Sequence, residues 1–330
     1  MRNSKRVREQ AGLGVARVSY DTAETLIYDP VAGNRTATRA ALYNLGFRRL
    51  ETAGNLEAFS EAMRRRPPDL ALCEAQGAEG ELCAMIQGLR QGTTTYNPFI
   101  VIIVTTWEQN TALVTRVLNS GADDLLLRPF STTVLGQRIQ THIERRKGFV
   151  ITSEYVGPDR RRDSVRPSNV PLFDPPNSLR MKAQERLTSD EATQRLDAEL
   201  KSAREVLTAE KLRRDAFQIC VLWRLMQETA SVSKTYKIDF TKLKNATRGV
   251  ARRCLGTEFE PAIEWCDSVL AAIEGLEAGV DRNASMHLLG HAALNLNQVF
   301  SPEKTTSEHL SAIDATVAIV KARIEPAMAS

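Results

Sequence analysis

The sequence predicts an α/β fold, a doubly wound sheet of five parallel strands, followed by an all-α helical region. Three observations favour this fold class. Residues 25–147 alternate short apolar runs with longer segments of helical spacing. A stretch rich in proline, serine and arginine follows, which is typical of a linker or a surface arm. Beyond it, apolar residues recur every three or four positions, which indicates helices.

Five apolar or β-branched runs are the predicted strands, and each is followed by a segment of helical spacing. In order they are Thr25–Asp29, Arg48–Thr52, Asp69–Glu74, Phe99–Thr105 and Asp123–Leu127. Strands that alternate with helices form a parallel sheet with both faces covered. The third run has the continuous apolar character of a central strand, whereas the second is more polar and suits a more exposed position.

The segments around the sheet set the predicted domain order. Residues 1–22 are a basic flexible tail, 23–148 the α/β domain, 149–178 a Pro/Arg-rich linker, 179–214 a long helix and 215–330 a helical bundle. An apolar seam from Leu196 through Leu200 to Leu207 in the long helix predicts a dimeric coiled coil. The bundle helices are predicted at Phe217–Met226, Phe240–Leu255, Ala262–Leu276, Ala284–Val299 and Leu310–Ile324, with the short connections of an antiparallel bundle.

Composition and charge exclude several classes of protein. The 330 residues are 42% hydrophobic and 25% charged, as in an ordinary globular protein, and a net charge of +4 is too small to indicate a nucleic-acid partner. Five cysteines form no CxxC pair, so no structural zinc is predicted. The longest strongly apolar run, Phe99–Val104, is far shorter than the roughly 20 residues that span a bilayer. We therefore expect a cytoplasmic protein with no membrane insertion.

Four strings, in this order along the chain, carry a resemblance to a known family. They are Leu26-Ile-Tyr-Asp-Pro30, Pro68-Asp-Leu-Ala-Leu-Cys-Glu74, Val104-Thr-Thr106 and Gly121-Ala-Asp-Asp-Leu-Leu-Leu-Arg-Pro-Phe130. Together they make residues 25–147 resemble the receiver domain of two-component response regulators, the CheY-like family. The last string is the most specific, since a Gly-Ala-Asp turn followed by a basic residue, proline and phenylalanine marks the family's fifth strand. The resemblance implies a flavodoxin-like receiver fold.

The resemblance also implies a phosphorylation site, whose residues are altered in this chain. In the family an acidic pair after the first strand binds magnesium, an aspartate ending the third strand accepts phosphate, and a lysine after the fifth strand contacts the phosphoryl group. The matching positions hold Asp29 and Pro30, Glu74, and Arg128. Three of the four positions have changed, so we expect a degenerate receiver, or pseudo-receiver.

Each replacement is expected to weaken phosphotransfer. Pro30 offers no side-chain oxygen to a magnesium ion, and the added methylene of Glu74 moves its carboxylate by about 1.5 Å, although catalysis tolerates little misplacement. The planar fork of Arg128 suits a bidentate ion pair with Glu74 or Asp29 better than the point contact that lysine makes with a phosphoryl oxygen. We expect no catalytic residue, no bound metal and no cofactor.

Two further positions bear on switching. The resemblance implies that a hydroxyl residue after the fourth strand and an aromatic residue on the fifth report phosphorylation, and Thr106 and Leu125 stand at these positions. Because Leu125 has no ring to rotate, the conventional readout is not expected. The alternative is that all these residues only pack the mouth of the sheet.

Two weaker motifs lie beyond the predicted receiver. Tyr155–Arg162 contains a Gly-Pro-Asp turn and three arginines, which suit either a grip on a carboxylate or phosphate or a solvated arm against the receiver. The string His287-Leu-Leu-Gly-His-Ala-Ala-Leu-Asn-Leu296 faintly resembles a histidine phosphotransfer motif, with His287 in the phosphorylated position. Gly290 and His291 replace the lysine and glycine of that motif. Ordinary bundle histidines and an i, i+4 metal pair are the alternatives.

The predicted function is that of a non-catalytic signalling adaptor in a two-component-type pathway. The degenerate receiver would bind a histidine kinase or another regulator, and the helical region would serve homodimerisation or output. Two alternatives stay open. One is an active phosphorelay protein in which Glu74 or His287 carries the phosphoryl group, and the other is a nucleic-acid-binding transcriptional regulator.

Overall fold

The computed structural model describes residues 18–92, 94, 96–161, 172–184, 187, 189–232 and 240–328. The chain divides into two compact units, the first up to residue 150 together with 155–204, and the second formed by 151–154 and the residues from 205 onward. Most of the predicted tail, residues 1–17, lies outside the described residues. The division falls at residue 204, within the predicted long helix.

The first unit is built around a five-stranded parallel sheet in the order β2-β1-β3-β4-β5. The strands are β1 (Glu24–Tyr28), β2 (Arg49–Ala53), β3 (Leu70–Glu74), β4 (Val101–Thr106) and β5 (Asp124–Leu127). The helices between and after them are α1 (Ala32–Leu45), α2 (Leu56–Arg65), α3 (Glu79–Arg90), α4 (Thr111–Ser120) and α5 (Thr132–Glu144). The predicted fold class is confirmed, with β3 at the centre of the sheet and β2 at one edge.

Alternate residues of each strand supply the apolar cores on the two faces of the sheet. Leu26 of β1 packs in one cluster with residues of α2, α3 and α4, such as Phe59. Ile27, the next residue, packs in the other cluster with residues of α1 and α5, such as Leu42. Because successive side chains of a strand point to opposite faces, the continuous apolar runs read from the sequence serve two cores at once.

The described part of the predicted linker, residues 149–161 and 172–178, contains ordered structure. Strand β6 (Phe149–Ile151) pairs with β7 (Val156–Pro158), and the backbones of Phe149 and Phe173 exchange two hydrogen bonds of 2.6 and 2.8 Å. The following helix α6 (Ser178–Gln184) buries Leu179 and Ala183 in the sheet core. Isolated apolar residues far apart in the chain have no period, which is why the sequence pattern indicated a linker.

The second unit is helical, as predicted. Its described helices are the later part of α7 (Ser189–Val232), which begins in the first unit, α8 (Phe240–Cys254), α9 (Ile263–Ala278), α10 (Arg282–Phe300) and α11 (Thr306–Met328), with a short 3₁₀ turn at Glu260–Ala262. The predicted long helix and first bundle helix are therefore one continuous helix. Within the seam, Leu207 is buried by the chain itself, whereas Leu196 and Leu200 are half-buried.

No helix among the described residues combines the length and the apolar character needed to cross a membrane.

Candidate functional site

The residues singled out in the receiver motifs meet at the carboxyl edge of the sheet. Asp29 follows β1, Glu74 ends β3, Thr106 ends β4 and Arg128 follows β5. Parallel strands present their carboxyl ends at one edge, so residues distant in sequence converge there. Asp29 and Thr106 are fully buried and Glu74 is 1% exposed.

The guanidinium of Arg128 lies between the two acids. Its Nε donates to Glu74 Oε2 at 2.7 Å, and its Nη2 donates to Asp29 Oδ2 at 3.2 Å and to Thr38 Oγ1 at 3.1 Å. Its Cζ lies 4.8 Å from the ring centroid of Phe130. Arg128 therefore pairs with both predicted acids. The predicted bidentate geometry is wrong, because the fork is shared between two carboxylates instead of gripping one.

The remaining carboxylate oxygens also have donors. The backbone N–H of Val31 donates to Asp29 Oδ1 at 2.8 Å, and that of Gln76 donates to Glu74 Oε1 at 3.1 Å. The Thr105 hydroxyl donates to Glu74 Oε2 at 2.7 Å. Each of the four carboxylate oxygens thus accepts at least one hydrogen bond, and Glu74 Oε2 accepts two. We refer to Asp29, Thr38, Glu74, Thr105 and Arg128 as the Arg128 network.

The Arg128 network does not fit the magnesium ion that a receiver fold implies. A cation already lies between Asp29 and Glu74, and Pro30, which replaces the second acid, is exposed and has no side-chain oxygen. Across the described ranges, no group of three or more His, Cys, Asp and Glu side chains could hold a metal ion. Magnesium needs near-octahedral oxygen coordination, which this set of residues does not offer.

The two threonines at the end of β4 have different roles. The Thr106 hydroxyl, the predicted switch position, accepts a 3.1 Å hydrogen bond from the backbone N–H of Glu108 and stays within its own turn. Thr105, which the sequence analysis did not single out, contacts Glu74 instead. Thr105 is the register partner of Glu74 across β3 and β4, and the sequence pattern does not specify this register. Leu125 is half-buried and packs against the core.

His287 lies in the second unit and is not part of the Arg128 network. Both His287 and His291 are exposed on α10, and His291 stacks edge-on against Trp265 at 5.6 Å. Gly290, at the position of the phosphotransfer motif's lysine, faces Trp223: a Cβ built there would lie 2.5 Å from Trp223 Cε2. A glycine at this position therefore has a packing reason that is unrelated to phosphate.

Comparisons with known proteins find similarities over about a third of the chain. The chain is 27% identical over 108 residues to a probable chemotaxis protein CheY from Rhizobium etli, covering 33% of this chain and 82% of that protein. The structure of this chain is also similar to the receiver domain of a sensor histidine kinase from Pseudomonas aeruginosa PAO1, which was crystallised with magnesium in its active site cleft. The sequence identity is 22% and the TM-score is 0.33, over 36% of this chain and 95% of that one.

A third similarity covers a smaller share of the known protein. NtrX from Brucella abortus, solved in complex with ATP, matches at 18% identity and a TM-score of 0.31 over 36% of this chain. The match spans 26% of NtrX, about a quarter of its length. No family model matches the chain.

Proposed function

We propose that this chain, whose first unit contains a CheY-like receiver domain, is a cytoplasmic, non-catalytic signalling adaptor of a two-component-type pathway. The observation that carries the proposal is that Arg128 joins Glu74 to Asp29 in the buried site at the carboxyl edge of the sheet. A receiver with this arrangement would act by presenting a fixed surface to a protein partner. The partner would be a histidine kinase or another regulator.

The chemistry of phosphoryl transfer supports a non-catalytic role. Attack on phosphorus requires a free carboxylate oxygen, aligned with the leaving group and assisted by cations on the phosphoryl oxygens. Both oxygens of Glu74 are held by hydrogen bonds, and the nearest cation neutralises the carboxylates themselves. Opening this buried site would break a hydrogen-bonded ion-pair network before any phosphodonor could enter.

The 330-residue chain should be inert to acetyl phosphate and magnesium. We expect intact-mass spectrometry to find no gain of one phosphoryl group on the wild type, because the Glu74 oxygens are occupied and the second acid is Pro30. The matched control is the triple variant Pro30→Asp, Glu74→Asp, Arg128→Lys, which restores the family's residues and should gain at least some phosphoryl. Phosphorylation of the wild type at Glu74 would contradict the proposal.

We propose that a partner binds the surface around the fourth and fifth strand–helix elements, β4-α4 and β5-α5. Trp107, directly after β4, is 45% exposed, Leu127 of β5 is 38% exposed, and Val134 of α5 is 39% exposed. Large apolar and aromatic side chains of this kind are typical anchors of protein interfaces. The binding of a partner there would depend on the position of β5, whose carboxyl end is held by the contact of Arg128 with Glu74.

Homodimerisation through the apolar seam of α7 belongs to the same proposal. Sedimentation of the full chain should give about twice 36.6 kDa, and Leu200→Lys should shift it towards the monomer, since burying an unpaired charge costs on the order of 2–4 kcal/mol. Leu200 is half-buried within one chain, which leaves part of it for a partner copy. Ala198→Lys, an exposed position on the same helix, is the control. A monomeric wild type at micromolar concentration would refute dimerisation.

A further inference from the structure

The loop between α4 and β5 is contacted by the Tyr155–Arg160 segment, whose role the Arg128 network does not explain. Gly121 ends α4 in a left-handed conformation, with φ of 93°. A Cβ built on Gly157 of β7 would lie 2.7 Å from the Gly121 Cα, and a Cβ on Gly121 would lie 2.5 Å from the Val156 carbonyl oxygen. Side-chain carbons essentially never approach backbone that closely, so the two glycines permit a direct backbone contact.

The Arg160 side chain binds the backbone of the same loop. Its Nη2 donates to the carbonyl oxygen of Ala122, and its Nη1 donates to that of Asp123 at 3.3 Å. The Tyr155 hydroxyl donates to the Pro158 carbonyl oxygen at 2.8 Å and closes the turn that presents the arginine. Because carbonyl oxygens are the acceptors, this contact depends on the path of the loop and not on its side chains.

The neighbouring arginine makes no such contact. Arg161 is exposed and pairs with Asp159, with Nε–Oδ1 and Nη2–Oδ2 distances of 2.8 Å each. An exposed ion pair two residues apart contributes little to stability. Two consecutive arginines with the same charge therefore differ in the one property of interest, the contact with residues 122 and 123, and Arg161 serves as an internal control.

The loop is held from its other side by arginines of the receiver core. Arg90 Nε donates to the Gly121 carbonyl oxygen at 2.9 Å, and Arg90 Nη2 donates to Asp123 Oδ2 at 2.8 Å. Arg146 Nε donates to Asp123 Oδ1 at 2.8 Å. The loop is thus enclosed between two buried core arginines and the Tyr155–Arg160 segment, at the amino end of β5, whereas Arg128 lies at its carboxyl end.

We propose that Tyr155–Arg160 is an intramolecular brace that holds residues 121–127, and therefore β5, in a single arrangement. The brace acts at the amino end of β5, while the Arg128 network acts at its carboxyl end. Because β5 is held at both ends, the surface around β4-α4 and β5-α5 has one preformed geometry that does not require phosphorylation. Preorganisation of this kind lowers the ordering cost of binding. The brace does not depend on the identity of a partner or on the absence of phosphotransfer.

Hydrogen exchange on the 330-residue chain tests the brace. We expect Arg160→Ala and Gly157→Ala to accelerate exchange of the amides of residues 123–127 by about tenfold or more, because backbone contacts that oppose local opening are lost. The Asp123 N–H, which donates to the Ile102 carbonyl oxygen at 2.8 Å, is the most direct reporter. The amides of β1 and β3 should keep their wild-type rates, and Arg161→Ala should change none of these rates.

Two results would overturn the brace. Unchanged exchange at residues 123–127 in both variants would mean that the loop is held without the segment. Equal acceleration across β1, β3 and β5 would mean that the segment contributes only to global stability. If Gly157→Ala does not fold, Arg160→Ala decides alone, because it removes hydrogen bonds without inserting atoms, and Arg160→Lys should give an intermediate rate.

Discussion

Replacing Arg128 with alanine should lower the free energy of unfolding of the first unit by about 3–5 kcal/mol, the cost of breaking a buried ion pair by removing one partner. The Arg128 side chain is 8% exposed and those of Asp29 and Glu74 are 0% and 1% exposed. Without the guanidinium, two buried carboxylates face each other with no counter-ion. The measurement is the exchange rate of the slowest amides of β1 and β3 in the full chain, which reports the stability of this unit without interference from the second.

Two further variants make the Arg128 experiment specific. Arg128→Lys should fall between wild type and alanine, because a single ammonium cannot reproduce the separate contacts of Nε and Nη2. Arg138→Ala is the control, since that arginine pairs with Asp124 at 3.4 Å but its side chain is 51% exposed, so the loss should stay below about 1 kcal/mol. Equal stability of Arg128→Ala and wild type would remove the structural basis for a non-catalytic receiver.

Asp123→Asn should have an effect of similar size, about 3–5 kcal/mol, because it leaves two buried arginines without their carboxylate. Arg90 is fully buried, and the Arg146 side chain is 5% exposed. Burial lowers the pKa of Arg90 to about 10, so the arginine stays charged at neutral pH and requires a counter-charge. The same hydrogen exchange measurement on β1 and β3 tests this prediction.

The pH dependence of stability should identify Asp123 as the responsible group. Burial alone would raise the pKa of Asp123, but the Arg146 and Arg90 guanidiniums hold it below its usual range. A carboxyl group with a lowered folded-state pKa contributes stability above its unfolded value of about 3.9, and this contribution is lost as the pH falls through the folded-state pKa. The difference between wild type and Asp123→Asn should therefore be full at pH 7 and shrink below about pH 4.

The adjacent aspartate provides the control. Asp124 contacts Arg138 and His142 at 3.4 Å each, and its side chain is 18% exposed, so Asp124→Asn should cost only about 1 kcal/mol. If Asp124→Asn lowered the free energy of unfolding as much as Asp123→Asn does, any acidic residue in this turn would contribute equally to stability. The effect of Asp123→Asn could then not be attributed to the two buried arginines.

The pairing of Arg128 with Asp29 and Glu74 could be expected from the sequence because it depends on residue identity and on the common edge at which parallel strands end. Apolar runs separated by helical segments require parallel strands, and parallel strands bring their carboxyl ends together. Once Asp29, Glu74 and Arg128 are placed at those ends, an ion pair among them follows from charge alone. Side-chain direction does not follow in this way, and for that reason the division of the Arg128 fork and the choice of Thr105 over Thr106 were not predicted.

The sequence by itself thus determined the five parallel strands, the central place of β3, the more exposed place of β2 and the identities of Asp29, Pro30, Glu74 and Arg128 at the strand ends, since these depend on local periodicity and on residue type. The tertiary structure alone decided that Phe149, Phe173 and Leu179 join the first unit, that Leu207 faces its own chain, and that Gly157 meets Gly121. Each of these is a single contact between residues far apart in the chain or outside any periodic pattern. The periodic spacing of apolar residues indicates which face of a helix or strand is buried. The contact partner of an isolated residue depends instead on how the whole unit packs.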